Sequence, residues 1–139
     1  MKCWSTLVLH PQKILVVRSL LANESRLALT GGEQQRDFIY IDDAIAALLC
    51  VTRFAESAPV GFYELEVGRG EPTRLRDFVE LAKRLCPSAQ TVLDFGALPY
   101  RTNEVMSIAA STEKLRALGW RPCVSLEEGL RRMIAEEKA

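Results

Sequence analysis

Histidine is almost missing from this chain: His10 is the only one. The four cysteines, Cys3, Cys50, Cys86 and Cys123, share no C-x-x-C or other ligand spacing. A structural metal centre is therefore not expected, nor are triads built on histidine. Such scattered cysteines read as reduced cytosolic thiols, mostly packed as small core residues. Neither sign of charge is in excess: eighteen Lys+Arg stand against eighteen Asp+Glu. That argues against nucleic acid and membrane surfaces as partners, since both reward a positive surplus. No apolar run approaches the ~18 residues of a membrane span. Met1–His10 has one positive side chain, a short apolar stretch and no small-residue cleavage pattern, so a cytoplasmic protein is expected. No G-x-S-x-G is present, and no tyrosine is followed four residues later by lysine.

What remains has the balance of a globular protein. Hydrophobic residues make up 48% of 139 and charged residues 26%, enough for one domain with its own core. No repeat or low-complexity linker divides it. Ile14, Leu15, Val17, Leu20 and Leu21 predict an amphipathic helix from Pro11 to near Asn23. Arg26–Leu29 reads as a short strand, broken by Gly31-Gly32. Phe38–Ile41 reads as a second strand, with Asp42 as N-cap of a very apolar helix through Phe54, expected to be covered on more than one side. A third strand is expected at Gly61–Val67, then a helix opening at Pro72-Thr73 and stopped by Pro87. Thr91–Phe95 reads as a fourth strand. Ser111 or Thr112 caps a short helix ending at a left-handed Gly119, and Ser125 with Glu128 has capping-box spacing for a last helix. Alternating strands and helices signal an α/β fold.

Two arginines could carry chemistry. Arg36 precedes a strand beside a glycine turn, and Arg101 lies in a polar loop far along the chain. Guanidinium forks suit bidentate contact with phosphate oxygens, so the pair could hold a diphosphate. The plainer reading pairs Arg36 with Asp37 or Asp43, and Arg101 with Glu104, as weak surface contacts. Asp42-Asp43 could be catalytic carboxylates, but a cap and a first-turn acid account for both. Gly68-Arg69-Gly70 lies between a strand and a helix, yet Thr73 stands where the third glycine of a dinucleotide loop belongs, so it reads as a tight turn. Trp4 and Trp120 read as core or rim residues rather than stacking platforms.

From Gly31 to Asp43 (Gly-Gly-Glu-Gln-Gln-Arg-Asp-Phe-Ile-Tyr-Ile-Asp-Asp) the chain resembles the extended short-chain dehydrogenase/reductases, the NAD-dependent epimerases and dehydratases acting on nucleotide sugars. The resemblance continues through Val67-Gly68-Arg69-Gly70-Glu71, Tyr100-Arg101-Thr102-Asn103-Glu104, Leu118-Gly119-Trp120-Arg121-Pro122 and Ser125–Leu130. The motifs match the family's C-terminal half in order over roughly residues 11–135. Around Phe95–Met106 the chain is similar to bacterial 4-reductases and epimerases that make deoxysugars for surface polysaccharide.

The resemblance implies an incomplete NAD(P)-binding Rossmann-type epimerase fold: mainly the C-terminal substrate lobe, with short strands and about five helices. Residues 1–10 stand off the pattern, and 11–139 form the nucleotide-sugar-binding part. Arg36 and Arg101 would grip the diphosphate of a nucleoside-diphosphate sugar from two sides. Glu104 would accept a ribose or nucleotide hydroxyl, Leu27, Ala28 and Leu29 would lie along the base, and Phe38 would sit near the nucleotide. Glu66 stands where many relatives carry Asn or Asp. The glycine loop that cradles the NAD(P) pyrophosphate, the Tyr-x-x-x-Lys pair and the catalytic Ser/Thr are all absent. The chain alone is thus expected to bind no cofactor and to lack catalytic residues. It would work with a separate Rossmann half or through self-association. The competing expectation is a non-catalytic interaction module or truncated remnant.

Overall fold

A computed structural model describes residues 11–139. Residues 1–10, with Cys3, Trp4 and His10, and the side chains of residues 11–14, Ile14 among them, lie outside the described part. Five helices and four short strands are present among the described residues: α1 (Pro11–Leu21), β1 (Arg26–Leu29), β2 (Gln35–Arg36), α2 (Ile41–Ser57), β3 (Thr73–Arg74), α3 (Leu75–Leu85), β4 (Val92–Phe95), α4 (Glu113–Ala117) and α5 (Leu126–Lys138). This is the α/β pattern expected from the sequence.

Helix α1 ends on a left-handed residue, Asn23 (φ 53°). The Glu24 N–H donates to Ser19 O and the Asn23 N–H to Leu20 O, both at 3.1 Å, which satisfies carbonyls the helix would otherwise leave open. Strand β1 then pairs in parallel with β4, Arg26 opposite Val92 and Leu29 opposite Phe95. Strand β2 pairs antiparallel with β3, Gln35 opposite Arg74 and Arg36 opposite Thr73. Two apolar clusters result. One joins α1, α3 and α5 around Val17, Leu20, Phe78, Val79, Leu130 and Ile134. The other gathers Ile39, Ala44, Ala47, Leu65, Val67, Leu115 and Trp120. Phe38 enters the first cluster and Ile39 the second, as neighbours on extended backbone must. The stretch after Arg36 is therefore a wall between two cores. Phe38 stacks on Phe78 with ring centroids 4.4 Å apart.

Several local expectations change. Phe38–Ile41 forms no ladder: Ile39 makes a single bridge and Ile41 already begins α2. Tyr40, not Asp42, flanks that helix, without a side-chain cap. Asp42 and Asp43 both fall in its first turn, where the helix dipole favours acids. Gly61–Val67 is no strand either, with only Val67 in a bridge. Leu65 and Val67 are buried, but Phe62 is 92% exposed. An alternating apolar segment becomes a strand only where another edge is available to pair with it. Thr73-Arg74 pairs with β2, which delays α3 to Leu75. Helix α2 is covered on one side only: Ile45, Leu48 and Leu49 are exposed, Leu49 by 54%. Two expectations hold directly: Gly119 is left-handed (φ 90°), and the Glu128 N–H donates to Ser125 Oγ at 3.2 Å.

Candidate functional site

The glycine turn and the 96–108 segment are stitched together, and the candidate residues sit along that seam. Gly31 leaves room for Tyr100, whose hydroxyl would lie 2.6 Å from a Cβ at that position. That hydroxyl accepts from the Glu33 N–H at 3.1 Å. Gly32 takes φ 79°, and its carbonyl accepts from the Arg76 N–H at 2.9 Å, so the turn rests on the start of α3. Further on, the Gln35 N–H donates to Met106 O at 2.7 Å and the Ile108 N–H to Gln35 O at 3.2 Å. Segment 104–108 thus runs directly beside the strand that carries Arg36.

Arg36 is 17% exposed in its side chain and Glu104 19%. Arg36 Nη2 donates to Glu104 Oε1, and Nη1 donates to Gln35 O at 2.8 Å. Neither surface pairing suggested by spacing forms: Arg36 meets a carboxylate 68 positions away. The Glu104 N–H turns back onto Arg101 O at 3.0 Å, with Asn103 left-handed between them. The Arg101 guanidinium is exposed. It makes no hydrogen bond or ion pair among the described residues. The loop between Tyr100 and Glu104 is thus pinned at both ends, with a cation on it that has no partner among the described residues.

Leu27 is buried in the first cluster, Ala28 is exposed and Leu29 is partly buried. Leu29 O accepts from the Gly96 and Leu98 N–H groups at 3.1 and 3.0 Å, so the end of β1 adjoins the Arg101 loop. Phe38 is buried against Phe78 in the first cluster. Glu66 accepts from the Ser111 N–H at 2.8 Å. Two open hollows, of about 440 and 340 Å³, lie elsewhere, against α2 and the 58–65 segment. Neither is lined by Arg36, Arg101 or Glu104. Sequence reasoning missed Tyr100 and Gln35 as fasteners of the seam; the only available signal was Tyr100 adjoining Arg101.

No group of three or more His, Cys, Asp or Glu is placed to hold a metal among the described residues. Burial pushes the Cys86 thiol up, which keeps it protonated and unreactive. Trp120 is buried and its Nε1 donates to Asp43 O at 3.1 Å, a core role.

Residues 11–65 match the model of the NAD dependent epimerase/dehydratase family. CDP-abequose synthase of Salmonella typhimurium is 32% identical over 120 residues, covering 86% of this chain and 40% of that protein. Among solved structures, UDP-glucose 4-epimerase of Thermotoga maritima with UDP-glucose superposes with a TM-score of 0.75 at 28% identity, covering 89% of this chain and 38% of that one. MoeE5 in complex with UDP-glucuronic acid and NAD gives a TM-score of 0.80 at 23% identity, covering 99% and 46%. The fold is therefore part of the Rossmann-type architecture of NAD-dependent epimerases and dehydratases. By sequence the chain is related to the NAD dependent epimerase/dehydratase family and to its nucleotide-sugar enzymes. It spans less than half the length of these relatives.

A dinucleotide needs free N–H donors at a glycine turn. In Gly68-Arg69-Gly70 the N–H groups of Arg69 and Gly70 already donate to the Asp37 carboxylate, at 2.8 and 2.9 Å. This turn does not fit an NAD(P) pyrophosphate.

Proposed function

We propose that the chain binds a nucleoside-diphosphate sugar as the C-terminal substrate lobe, residues 11–139, of an NAD(P)-dependent sugar epimerase, dehydratase or reductase, and does not turn over alone. The observation that carries this reading is the seam itself. Arg36 is held by Glu104, and Arg101, without a partner among the described residues, stands three residues before that glutamate. A diphosphate bridging the two arginines would gain charge-assisted hydrogen bonds of roughly 1.5–3 kcal/mol each. Glu104 would also accept a ribose hydroxyl. Ala28 and Leu29, at the end of β1 adjoining the Arg101 loop, would lie along the base, while Leu27 and Phe38, buried in the first cluster, would support that wall from behind. The names of the relatives support the ligand class.

A second half supplies the cofactor and the other wall of the site. Its docking surface is the open side of α2, where Ile45, Leu48 and Leu49 stand exposed. Exposed apolar side chains at i, i+3 and i+4 on one helix face are the mark of an interface. Self-association through the same surface is the competing use, and sedimentation across a concentration series separates the two.

Calorimetric titration with CDP-, dTDP- and UDP-sugars tests the binding claim. Arg36→Ala or Arg101→Ala should each weaken affinity by about 1.5–3 kcal/mol. Nicotinamide fluorescence should show no tight binding of NAD(P)H to the chain alone. Tight binding would overturn the assignment of the cofactor to a separate half.

A further inference from the structure

The residue after Arg36 is a buried acid with an unusual set of donors. Asp37 is 1% exposed. Its Oδ1 accepts from the Arg69 N–H at 2.8 Å, and its Oδ2 from the Gly70 and Ala110 N–H groups at 2.9 and 3.0 Å. The surroundings are built for it. A Cβ at Gly68 would lie 2.4 Å from Asp37 Oδ2 and 2.5 Å from the Ala110 Cβ, so only glycine fits. Gly70 takes φ 75°, which turns its N–H toward the carboxylate. Two remote segments, 68–70 and 110, thus close on one carboxylate adjoining the arginine of the seam. Adjacent side chains on extended backbone leave on opposite sides. Anchoring Asp37 therefore sets the direction in which Arg36 leaves the chain.

We propose that Asp37 is a positioning residue: clasped by the Gly68-Arg69-Gly70 turn and Ala110, it aims the Arg36 guanidinium at Glu104 and at the anion. This rests on the proposed function for the identity of the anion, not for the geometry. The turn that looks like a cofactor loop is then a carboxylate receptor serving the substrate site.

Asp43 provides a matched control. It is also buried, and it accepts from the Cys123 and Val124 N–H groups, both at 2.9 Å, away from the seam. Asp37→Asn and Asp43→Asn keep shape and remove charge, and both should lower the urea midpoint. With UDP, CDP and dTDP as calorimetric probes, Asp37→Asn should weaken binding roughly tenfold, and Asp43→Asn should leave it unchanged. On an Arg36→Ala background Asp37→Asn should add nothing further. Without ligand, the guanidinium ¹⁵N–¹H signals of Arg36 should exchange with water faster in Asp37→Asn and as in the parent in Asp43→Asn. If the parent binds no nucleoside diphosphate, the proposed function falls and the exchange measurement still judges the positioning role. Unchanged Arg36 exchange in Asp37→Asn, or an equal effect from Asp43→Asn, overturns it. Should Asp37→Asn fail to fold, Gly70→Ala strains the same clasp from the turn side while keeping the Asp37 charge, and should speed Arg36 exchange; no change there overturns the proposal too.

Discussion

The pairing of Arg36 with Glu104 makes a claim that needs no ligand to test. Both side chains keep less than a fifth of their surface exposed. The pair therefore stands between an exposed ion pair, worth 0–1 kcal/mol, and a buried one, where removing one partner costs about 3–5 kcal/mol. Partial shielding places the coupling at about 1–2 kcal/mol, and the bond of Arg36 to Gln35 O, lost in both arms that remove Arg36, cancels from it. Arg36→Ala, Glu104→Ala and the double variant, unfolded in urea beside the parent, form the cycle that isolates it. The coupling should survive from low to moderate salt, because shielded pairs are screened far less than exposed ones. A coupling below about 0.3 kcal/mol, or one abolished by salt, would place the pair among surface contacts. The seam would then no longer order the site.

Other expectations follow from the cores and the surface. Phe78→Ala empties the middle of the α1–α3–α5 cluster beside Phe38, and should cost about 3–5 kcal/mol in urea unfolding; a loss under about 1 kcal/mol would mean this cluster is not packed. Ser125→Ala removes the side-chain cap of α5 and should cost about 1 kcal/mol, with little change if α5 frays there. The Arg74 guanidinium holds the Asp77 carboxyl below its ordinary range, and Arg18 does the same for Glu137. With folded values depressed, their stabilisation is present above the ordinary carboxylate values and lost as pH falls through the folded ones. Asp77→Asn should therefore flatten the acid side of the stability profile slightly, an effect that salt weakens. A steeper acid limb would contradict that sign.

What could be read from the sequence was local. Helices α1, α3 and α5, strands β1 and β4, the Ser125 cap and the Gly119 terminus all carry their signals within a few residues: apolar period, capping chemistry, a glycine free to take positive φ. Pairing was less legible. Gly61–Val67 has the alternation of a strand, yet strand formation depends on an edge elsewhere. Thr73-Arg74 looks like a helix start, yet it answers to Gln35-Arg36 across the turn. Arg36 and Arg101 could be singled out by residue type, and the motifs tied them to one ligand class. That Glu104 would reach back to Arg36, and that Asp37 would be wrapped by a glycine turn, depends on approaches between segments tens of residues apart. No spacing within one element encodes such approaches.

The measurement closest to the central claim is calorimetric titration of the folded chain with nucleoside-diphosphate sugars, run beside Arg36→Ala and Arg101→Ala. Saturable heat with at least one sugar nucleotide, weakened in each variant, is the predicted result. A folded chain giving no heat with CDP-, dTDP- or UDP-sugars, or binding that neither substitution alters, would contradict it.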